Sequence, residues 1–276
     1  MSRVSGLSPN RRGSSAEDGE KSALHRFIEK YWAPVVKVLS EELGPGPPLL
    51  KQAHLTNAFK AGTLPLCLGL MYHFQNFTPT AWTYTALHGS YGILWVLKEW
   101  WCPDGRFQLK MPFGSSCLAV SFLVGYWLAP IILISKKLQV SAPRQALCIF
   151  TYAIGVSMML VADTQKFFAL KYNRALAEQK KLLIKDGIFS NNRNPNYLGE
   201  MLLYGSFAGL VPHPLPKAML AFAWLGLFSV NMFNKESSLM RKPGWEEYKK
   251  QSWLFLPKLF GGAGGSEEDD LKDKEE

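Results

Sequence analysis

Residues 114–135 read GSSCLAVSFLVGYWLAPIILIS and contain no lysine, arginine, aspartate or glutamate. A helix needs about 20 mainly apolar residues to cross the hydrocarbon core of a bilayer, and this run is long enough for one crossing. Pro130 is compatible with that assignment, because proline is tolerated inside membrane helices where neighbouring groups satisfy the freed carbonyl. The stretch therefore predicts a transmembrane helix and places the chain among integral membrane proteins.

Further spans are predicted on both sides of this run. Lysine, arginine, aspartate and glutamate are absent from 61–97, which the Thr78-Pro79 break divides into two spans. Pro212-His213-Pro214-Leu215-Pro216 forms a rigid turn inside another apolar region, 194–234. The spans are accordingly expected at 61–76, 79–97, 114–135 and 145–162, with the last two on either side of the proline-rich turn. We expect an all-α fold, a multi-pass membrane bundle of about six helices.

Composition excludes several other classes of protein. Charged residues make up 19% of the chain, against about 25% in ordinary soluble domains. The net charge of +9 could suit nucleic acid, but the basic residues flank apolar segments instead of alternating with aromatic residues on a polar face, so no nucleic-acid partner is expected. Cys67, Cys102, Cys117 and Cys148 lie far apart, without a C-x-x-C pair or a nearby histidine. Neither a metal site nor a redox dithiol is therefore predicted.

The polar ends of the chain define its organisation. We expect a disordered head over 1–22, an amphipathic interfacial segment over 23–56, a membrane domain over 57–260 and a flexible acidic tail over 261–276. Membrane lipids are thus an expected partner. The basic residues concentrate in three loops, 98–110, 163–193 and 235–258, which share one side if there are six spans. The positive-inside rule then puts both termini in the cytoplasm.

The last residues of the tail resemble a sorting signal. Lys272-Asp273-Lys274-Glu275-Glu276 matches the K-x-K-x-x pattern that returns membrane proteins to the endoplasmic reticulum. Such a signal acts only on a cytoplasmic C-terminus, which the expected topology provides. We therefore expect residence in the endoplasmic reticulum membrane and recognition of Lys272 and Lys274 by a coat protein, with a chance match in a charged tail as the alternative.

The stretch from Asp186 to Glu200, DGIFSNNRNPNYLGE, carries polar groups directly into an apolar span. Asn196, Glu200 and Tyr204 recur every fourth residue and so share one helix face, and Pro195 suits the first helical turn. Burying an unpaired carboxylate in a bilayer costs on the order of several kcal/mol of free energy, so Glu200 requires a partner or a ligand. One alternative is structural: Glu200 could pair with Lys235 or Arg193 and hold helices together.

This stretch resembles a known family. Arg193-Asn194-Pro195-Asn196-Tyr197-Leu198-Gly199-Glu200 is similar to the R-x-P-N-Y-x-G-E signature of the steroid 5-alpha-reductase-like superfamily, particularly its DUF1295 branch. Asp163-Thr164-Gln165-Lys166 resembles the family's D-x-Q-K segment, and the lead-in from Asp186 to Phe189 resembles its L-x-x-x-G-x-F/W element. Glu246-Glu247-Tyr248, followed by the stretch from Trp253 to Pro257, resembles the closing element. The resemblance covers about 145–260.

The resemblance implies a membrane enzyme that binds a nucleotide-bearing cofactor from the cytosol and takes a lipophilic substrate from the bilayer. One branch of the superfamily reduces a carbon–carbon double bond in steroids, sterols or enoyl lipids with NADPH. Another, like isoprenylcysteine carboxyl methyltransferase, uses S-adenosylmethionine. Asn194 stands where the methyltransferases have histidine, and Lys235 stands where they have the first glutamate of an E-E-x-x-L pair, so NADPH is the expected cofactor. Met159, where steroid reductases have asparagine, departs from their pattern.

Resemblance and residue type together give the expected site. Asp163, Asn196 and Glu200 would hold the cofactor's ribose and amide groups. The cofactor's phosphates would be bound by four cations, Lys166, Arg193, Arg241 and Lys249. Two tyrosines, Tyr197 and Tyr248, would pack beside the cofactor.

A separate helix face offers groups for the chemical step. Tyr84, His88 and Tyr91 follow helical spacing, and a dry site could use His88 and Tyr91 as catalytic residues that polarise or protonate the substrate. Two alternatives concern these residues alone: a hydrogen-bonded packing histidine and interface tyrosines. A third concerns the whole protein, which would then be a non-catalytic lipid-binding or scaffold protein.

Overall fold

The computed structural model describes residues 21–44, 47–48 and 50–258. The expected disordered head, apart from its last two residues, and the acidic tail with Lys272 and Lys274 therefore lie outside the described residues. Within them the chain is almost wholly helical, and the predicted all-α membrane bundle is confirmed.

The helices are named here in chain order. The N-terminal helix α1 joins four segments that alternate between α and π geometry: Ala23–Phe27, Ile28–Trp32, Ala33–Lys37 and Val38–Glu42. Helix α8, Pro214–Leu239, likewise contains a π segment at Trp224–Phe228. The others are α2 Gln52–His73, α3 Pro79–Trp101, α4 Phe113–Ser135, α5 Ala142–Tyr172, α6 Arg174–Glu178, α7 Pro195–Leu210 and α9 Trp245–Gln251. Two short strands, β1 Leu50–Lys51 and β2 Lys110–Met111, pair antiparallel.

Three of these helices, α4, α5 and α8, are long and apolar enough to cross a membrane. Their outward surfaces carry large apolar side chains: Leu147 on α5 is 64% exposed and Leu225 on α8 is 76% exposed. Such surface is stable in hydrocarbon and unfavourable in water. The predicted count of six spans stays a prediction.

The predicted breaks between helices are confirmed. Thr78 caps α3 by accepting a hydrogen bond from the backbone N–H of Ala81, and Pro79 is the first helical residue. The proline-rich turn begins between α7 and α8, and its last three residues, from Pro214 onward, form the start of α8.

Two helix boundaries differ most from the prediction, and the others lie within four residues of it. Helix α2 begins nine residues before the predicted start at residue 61, and α5 continues to Tyr172, past the predicted end at residue 162. Both differences have one cause: polar residues at the end of a membrane helix stop the hydropathy signal without stopping the helix.

Helices α5 and α7 pack backbone to backbone through two glycines. A Cβ atom built on Gly199 would lie 2.7 Å from the carbonyl oxygen of Gly155 and 2.7 Å from the amide nitrogen of Met159. Small residues allow membrane helices to approach this closely, which increases their dispersion contacts. The contact therefore fixes the position of α7 along the axis of α5.

Helices α2 and α3 form a second close pair. A Cβ atom on Gly92 would lie 2.2 Å from the carbonyl oxygen of Lys60, so the two backbones touch there. The large core cluster includes Tyr84, Tyr91 and Phe207 and joins this pair to α5 and α7. The core therefore contains several aromatic side chains that carry polar atoms.

One end of the bundle is covered by short elements, and we call it the polar end; it comprises residues 102–112, 173–194 and 240–258. Strands β1 and β2 pair at this end. Helix α1 packs along α8, where the Trp32 side chain donates a hydrogen bond to the carbonyl of Gly226 (2.8 Å). His25 of α1 lies 2.8 Å from the hydroxyl of Ser237.

Candidate functional site

The start of α7 is anchored by the last described segment of the chain. The backbone N–H of Arg193 donates to the carbonyl of Trp253 (2.9 Å), and the Asn194 side chain donates to the carbonyl of Leu254 (2.8 Å). Pro195 then begins the helix, with its fixed φ suited to the first turn. These bonds set the direction in which α7 projects its polar face.

Glu200 lies on that face, deep inside the bundle. Protein atoms surround its carboxylate, and its side chain is half-buried. Among the described residues, the Glu200 carboxylate has no hydrogen bond and no ion pair, although it interacts electrostatically with Lys60, Lys98 and Asp163.

The structural alternative for Glu200 is not observed. Arg193 instead donates to Glu236 (3.0 Å), and Lys235 donates to the backbone carbonyl of Arg193 (2.7 Å). Both cations expected to neutralise Glu200 are therefore engaged elsewhere. The Glu200 carboxylate therefore pairs with neither of them.

Two carboxylates share one cation, Lys98, between α3 and α5. The Lys98 ammonium lies 3.3 Å from Asp163 and 3.5 Å from Glu99, and 4.2 Å from the centre of the Trp95 ring. The amide of Gln108 donates to Glu99 (2.9 Å). Asp163 is thus held in place by a lysine whose charge is divided between two carboxylates.

The loop after α3 is joined to α5 and α8 at the polar end. Asp104 pairs with Lys166 of α5 (2.9 Å), and Arg106 donates to Asn231 of α8 (2.8 Å). Burial alone would raise the pKa of the Asp104 carboxyl, but the Lys166 ammonium and a bond from the Arg106 N–H hold that pKa below its usual value. Asp104 is therefore ionised and binds the cation predicted to meet a phosphate.

The first turn of α7 adds two more predicted residues. The side-chain oxygen of Asn196 is buried and has no hydrogen-bond partner among the described residues. Tyr197 packs on Phe228, with ring centres 5.1 Å apart, and interacts electrostatically with Glu200 and Asp163. The residues predicted for cofactor contact that come together here are Asp163, Lys166, Asn196, Tyr197 and Glu200, and we call them the Glu200 group.

Other predicted cofactor residues lie in a second cleft at the polar end. Arg193 and Lys249 line it together with Glu236 and Trp245, and the indole N–H of Trp245 is buried without a partner among the described residues. The Arg193 guanidinium also donates to the hydroxyl of Ser252 (3.2 Å). The cleft therefore holds a buried ion pair beside an unpaired donor.

Two residues predicted for cofactor contact lie apart from both the Glu200 group and the second cleft. The Tyr248 hydroxyl donates to the carbonyl of Phe189 (2.7 Å), where it joins α9 to the segment before α7. Burial raises the pKa of Tyr248, so its phenol is neutral. Arg241 is exposed after the end of α8.

The residues predicted to be catalytic occupy the interior face of α3. His88 lies 2.9 Å from the Tyr84 hydroxyl and stacks on Phe207 at 4.4 Å, while its Nε2 atom is buried without a partner among the described residues. Tyr91 accepts a hydrogen bond from Lys60 (2.9 Å). A narrow apolar cleft, lined by His88 and Tyr204, leads from this face towards Met219 of α8.

Sequence reasoning did not include Lys60, Lys98, Glu236 or Trp245 in the site. Lys60 immediately precedes the charge-free run 61–97, so hydropathy treats it as a flanking charge. Only its burial, with 4% of its surface exposed, shows that it faces the interior. Lys98 ends the second predicted span and carries the same ambiguity.

Comparison with known proteins gives one match. The profile of the family described as "Protein of unknown function (DUF1295)" matches residues 115–251. This range includes α4, α5, α7, α8 and α9, and hence Asp163 and Glu200. No curated protein and no solved structure matches the chain.

Proposed function

We propose, for a chain that belongs to the DUF1295 family through residues 115–251, that it is a membrane-bound NADPH-dependent reductase of a carbon–carbon double bond. Its substrate would be lipophilic, of the steroid, sterol or enoyl-lipid type. The proposal depends above all on the Glu200 carboxylate, which protein surrounds but which has no hydrogen bond and no ion pair from the described residues. A buried polar group of this kind requires a partner, and a bound cofactor would supply one.

The residues of the Glu200 group fit a nicotinamide dinucleotide. The unpaired oxygen of Asn196 and the carboxylate of Glu200 can accept hydrogen bonds from amide or hydroxyl groups. Lys235 interacts electrostatically with both Lys166 and Asp163. Several cations at one end suit a ligand with several phosphates better than one with none. This distribution favours NADPH over S-adenosylmethionine.

The roles of the chain's own groups follow from this placement. NADPH, when bound, supplies a hydride. Glu200, Asn196 and Asp163 would orient its amide and ribose groups. Lys166 would exchange its bond to Asp104 for a phosphate, and Lys249 and Arg193 would meet negative charge at the second cleft.

The substrate side of the proposal uses the apolar cleft. A lipophilic molecule that entered this cleft would meet Tyr204 and His88. Tyr91 and His88 would supply the hydrogen bond or proton that the second half of the reduction needs. The core aromatic residues would exclude water from the reacting atoms.

We also propose the location of the protein. Its polar end, which carries the basic loops, would face the cytosol, where the cofactor is available. Both termini would lie on that side of the endoplasmic reticulum membrane, with Lys272 and Lys274 open to a coat protein.

Ligand-dependent stability tests the proposal. The detergent-purified protein is melted with NADPH, NADH or S-adenosylmethionine, and a ligand at about a hundredfold over its Kd adds roughly 2.7 kcal/mol. We expect stabilisation by NADPH alone. Stabilisation by S-adenosylmethionine would instead support a methyltransferase, and no stabilisation by any of the three would support a non-catalytic protein.

A matched pair of variants locates the binding site. Glu200→Gln removes the charge at nearly constant volume and should lower the NADPH stabilisation while leaving membrane insertion intact. Glu178→Gln makes the same change at an exposed residue and should bind NADPH like the wild type. Equal NADPH affinity in the two variants would contradict the role of Glu200.

A further inference from the structure

Helix α5 presents one exposed apolar face along most of its length. Exposed apolar side chains recur at intervals of three, four or seven residues and so share that face; they are Leu147, Phe150, Ile154, Val161, Phe168 and Tyr172. At 1.5 Å per residue, the face from Leu147 to Tyr172 is about 38 Å long. This length exceeds the hydrocarbon core of about 30 Å but fits within the roughly 40–45 Å of a bilayer with its headgroups. The end of the face at Tyr172 therefore reaches the lipid headgroups.

Aromatic rings and a lysine occupy this end of the helix. The rings of Phe168 and Tyr172 stack with their centres 5.8 Å apart, and Tyr172 is 75% exposed. The Lys171 ammonium lies 5.7 Å from the ring centre of Phe167 and 6.0 Å from those of Phe168 and Tyr172. Aromatic residues beside a lysine are typical of a membrane–water interface, where the rings lie among the headgroups and the ammonium extends towards the phosphates.

Residues 171–186, which we call the basic segment, continue from this aromatic pair. All of its charged side chains are exposed: five cations, Lys171, Arg174, Lys180, Lys181 and Lys185, and two acids, Glu178 and Asp186. Arg174 pairs with Glu178 (2.8 Å). Lys180, Lys181 and Lys185 form no ion pair within the described part of the chain. The segment therefore presents a net positive charge that its own acids do not neutralise.

The backbone of the basic segment is anchored to the bundle. The Gln165 side chain donates to the carbonyl of Asp186 (2.8 Å) and accepts from the N–H of Ile188 (3.2 Å), so the segment returns to α5. Gly187, at φ 55°, allows this contact, because a Cβ atom there would lie 2.6 Å from the Gln165 side chain. Leu183 packs against the apolar cluster around α9. The backbone is thus held in place while the lysines remain at the surface.

We propose that the basic segment is a docking surface for the headgroups of anionic lipids. Its lysines bind the headgroup phosphates, and the acyl chains lie along Phe168 and Tyr172. Two observations favour this occupant: the charge of the segment is complementary, and the segment continues directly from the exposed apolar face of a membrane helix. Clusters of four to eight basic residues at that position attract anionic lipids. The surface includes no residue of the Glu200 group or the second cleft, so the inference goes beyond the proposed reductase.

Lipid-dependent stability tests the inference. The full chain in a neutral detergent is titrated with dioctanoyl phosphatidylglycerol, which is anionic, or with dioctanoyl phosphatidylcholine, which is zwitterionic. Affinity is obtained from the dependence of Tm on lipid concentration. Phosphatidylglycerol should bind more tightly, by roughly fivefold for each lysine that meets a headgroup. The preference should disappear at about 1 M salt, where the Debye length falls to about 3 Å.

A second lysine doublet provides a matched control. Lys180-Lys181 and Lys136-Lys137 both follow the end of a helix, are exposed and contain one lysine at positive φ, 57° at Lys180 and 50° at Lys137. The second doublet lies between α4 and α5, at the opposite end of the bundle. Lys180→Gln/Lys181→Gln should lower the affinity for phosphatidylglycerol roughly tenfold to thirtyfold, whereas Lys136→Gln/Lys137→Gln should leave it unchanged. Lys171→Gln/Lys185→Gln should reproduce the loss and serves if the first variant fails to fold.

Several results would overturn the inference. These are equal affinity for the two lipids, a preference that survives Lys180→Gln/Lys181→Gln, and an equal loss in the two doublet variants, which would indicate a general effect of net charge. Glycerol 3-phosphate carries the headgroup charge without acyl chains and should not stabilise the protein. Stabilisation by glycerol 3-phosphate equal to that by phosphatidylglycerol would show a small-anion site instead of a lipid surface. The samples contain no NADPH, so each result is independent of the proposed function.

Discussion

Gly199→Ala should destabilise the protein, because it places a methyl group between two helix backbones. The added Cβ would lie 2.7 Å from backbone atoms of Gly155 and Met159, and 3.1 Å from the Cβ of Met158. Ordinary contact begins at 3.4 Å, so α5 and α7 must separate by about 0.7 Å. Overpacking of this kind costs about 1–3 kcal/mol, and the better helix propensity of alanine returns only about 0.5–1 kcal/mol of it.

The separation should also affect the site, since Glu200 is the next residue on α7. We expect a lower Tm in detergent and weaker stabilisation by NADPH. Gly69→Ala provides the control: its Cβ meets nothing within 4 Å, so the same substitution should leave stability unchanged or raise it slightly. A Gly199→Ala protein as stable as the wild type would refute the argument that these two backbones are in rigid contact.

Two other perturbations have definite expected outcomes. Asp104→Asn removes the ion pair with Lys166; because the folded-state pKa of Asp104 is lowered, its contribution should be present at pH 7 and lost as the pH falls below the ordinary value of 3.8, so the Tm difference from the wild type should shrink in acid. An equal difference at pH 7 and in acid would contradict this pairing. Arg193→Met leaves Glu236 buried without its cation and should cost about 3–5 kcal/mol in chemical unfolding, whereas Arg174→Met, at an exposed ion pair, should cost less than about 1 kcal/mol; similar losses would show that Arg193 is not a buried anchor.

Helix placement was the part most accessible from the sequence. Hydropathy and proline are local signals, and they located the break at Thr78-Pro79, the interior Pro130 and the turn before Pro214. The same signals failed at the start of α2 and the end of α5. A polar residue lowers the hydropathy average, but it does not prevent the next backbone hydrogen bond.

The candidate site was accessible only in part. Helical spacing put Asn196 and Glu200 on one face, and the structure brings Asp163 from another helix within electrostatic range of Glu200. Spacing could not decide that Arg193 would turn to Glu236 and leave Glu200 without it. The partner of a long side chain depends on which helix lies opposite, and that is a property of the packed bundle.

The sequence by itself determined that this chain is a helical membrane protein with polar residues built into one of its apolar segments, because both properties depend on residues close together in the chain. The tertiary structure alone decided that Lys60 lies between Tyr91 and Tyr204, the second of which is 144 residues away. Close contacts at glycines hold α2 against α3 and α5 against α7. Those contacts determine which charged side chains lie near one another. Side chains so distant in sequence meet only through packing, which no local pattern records.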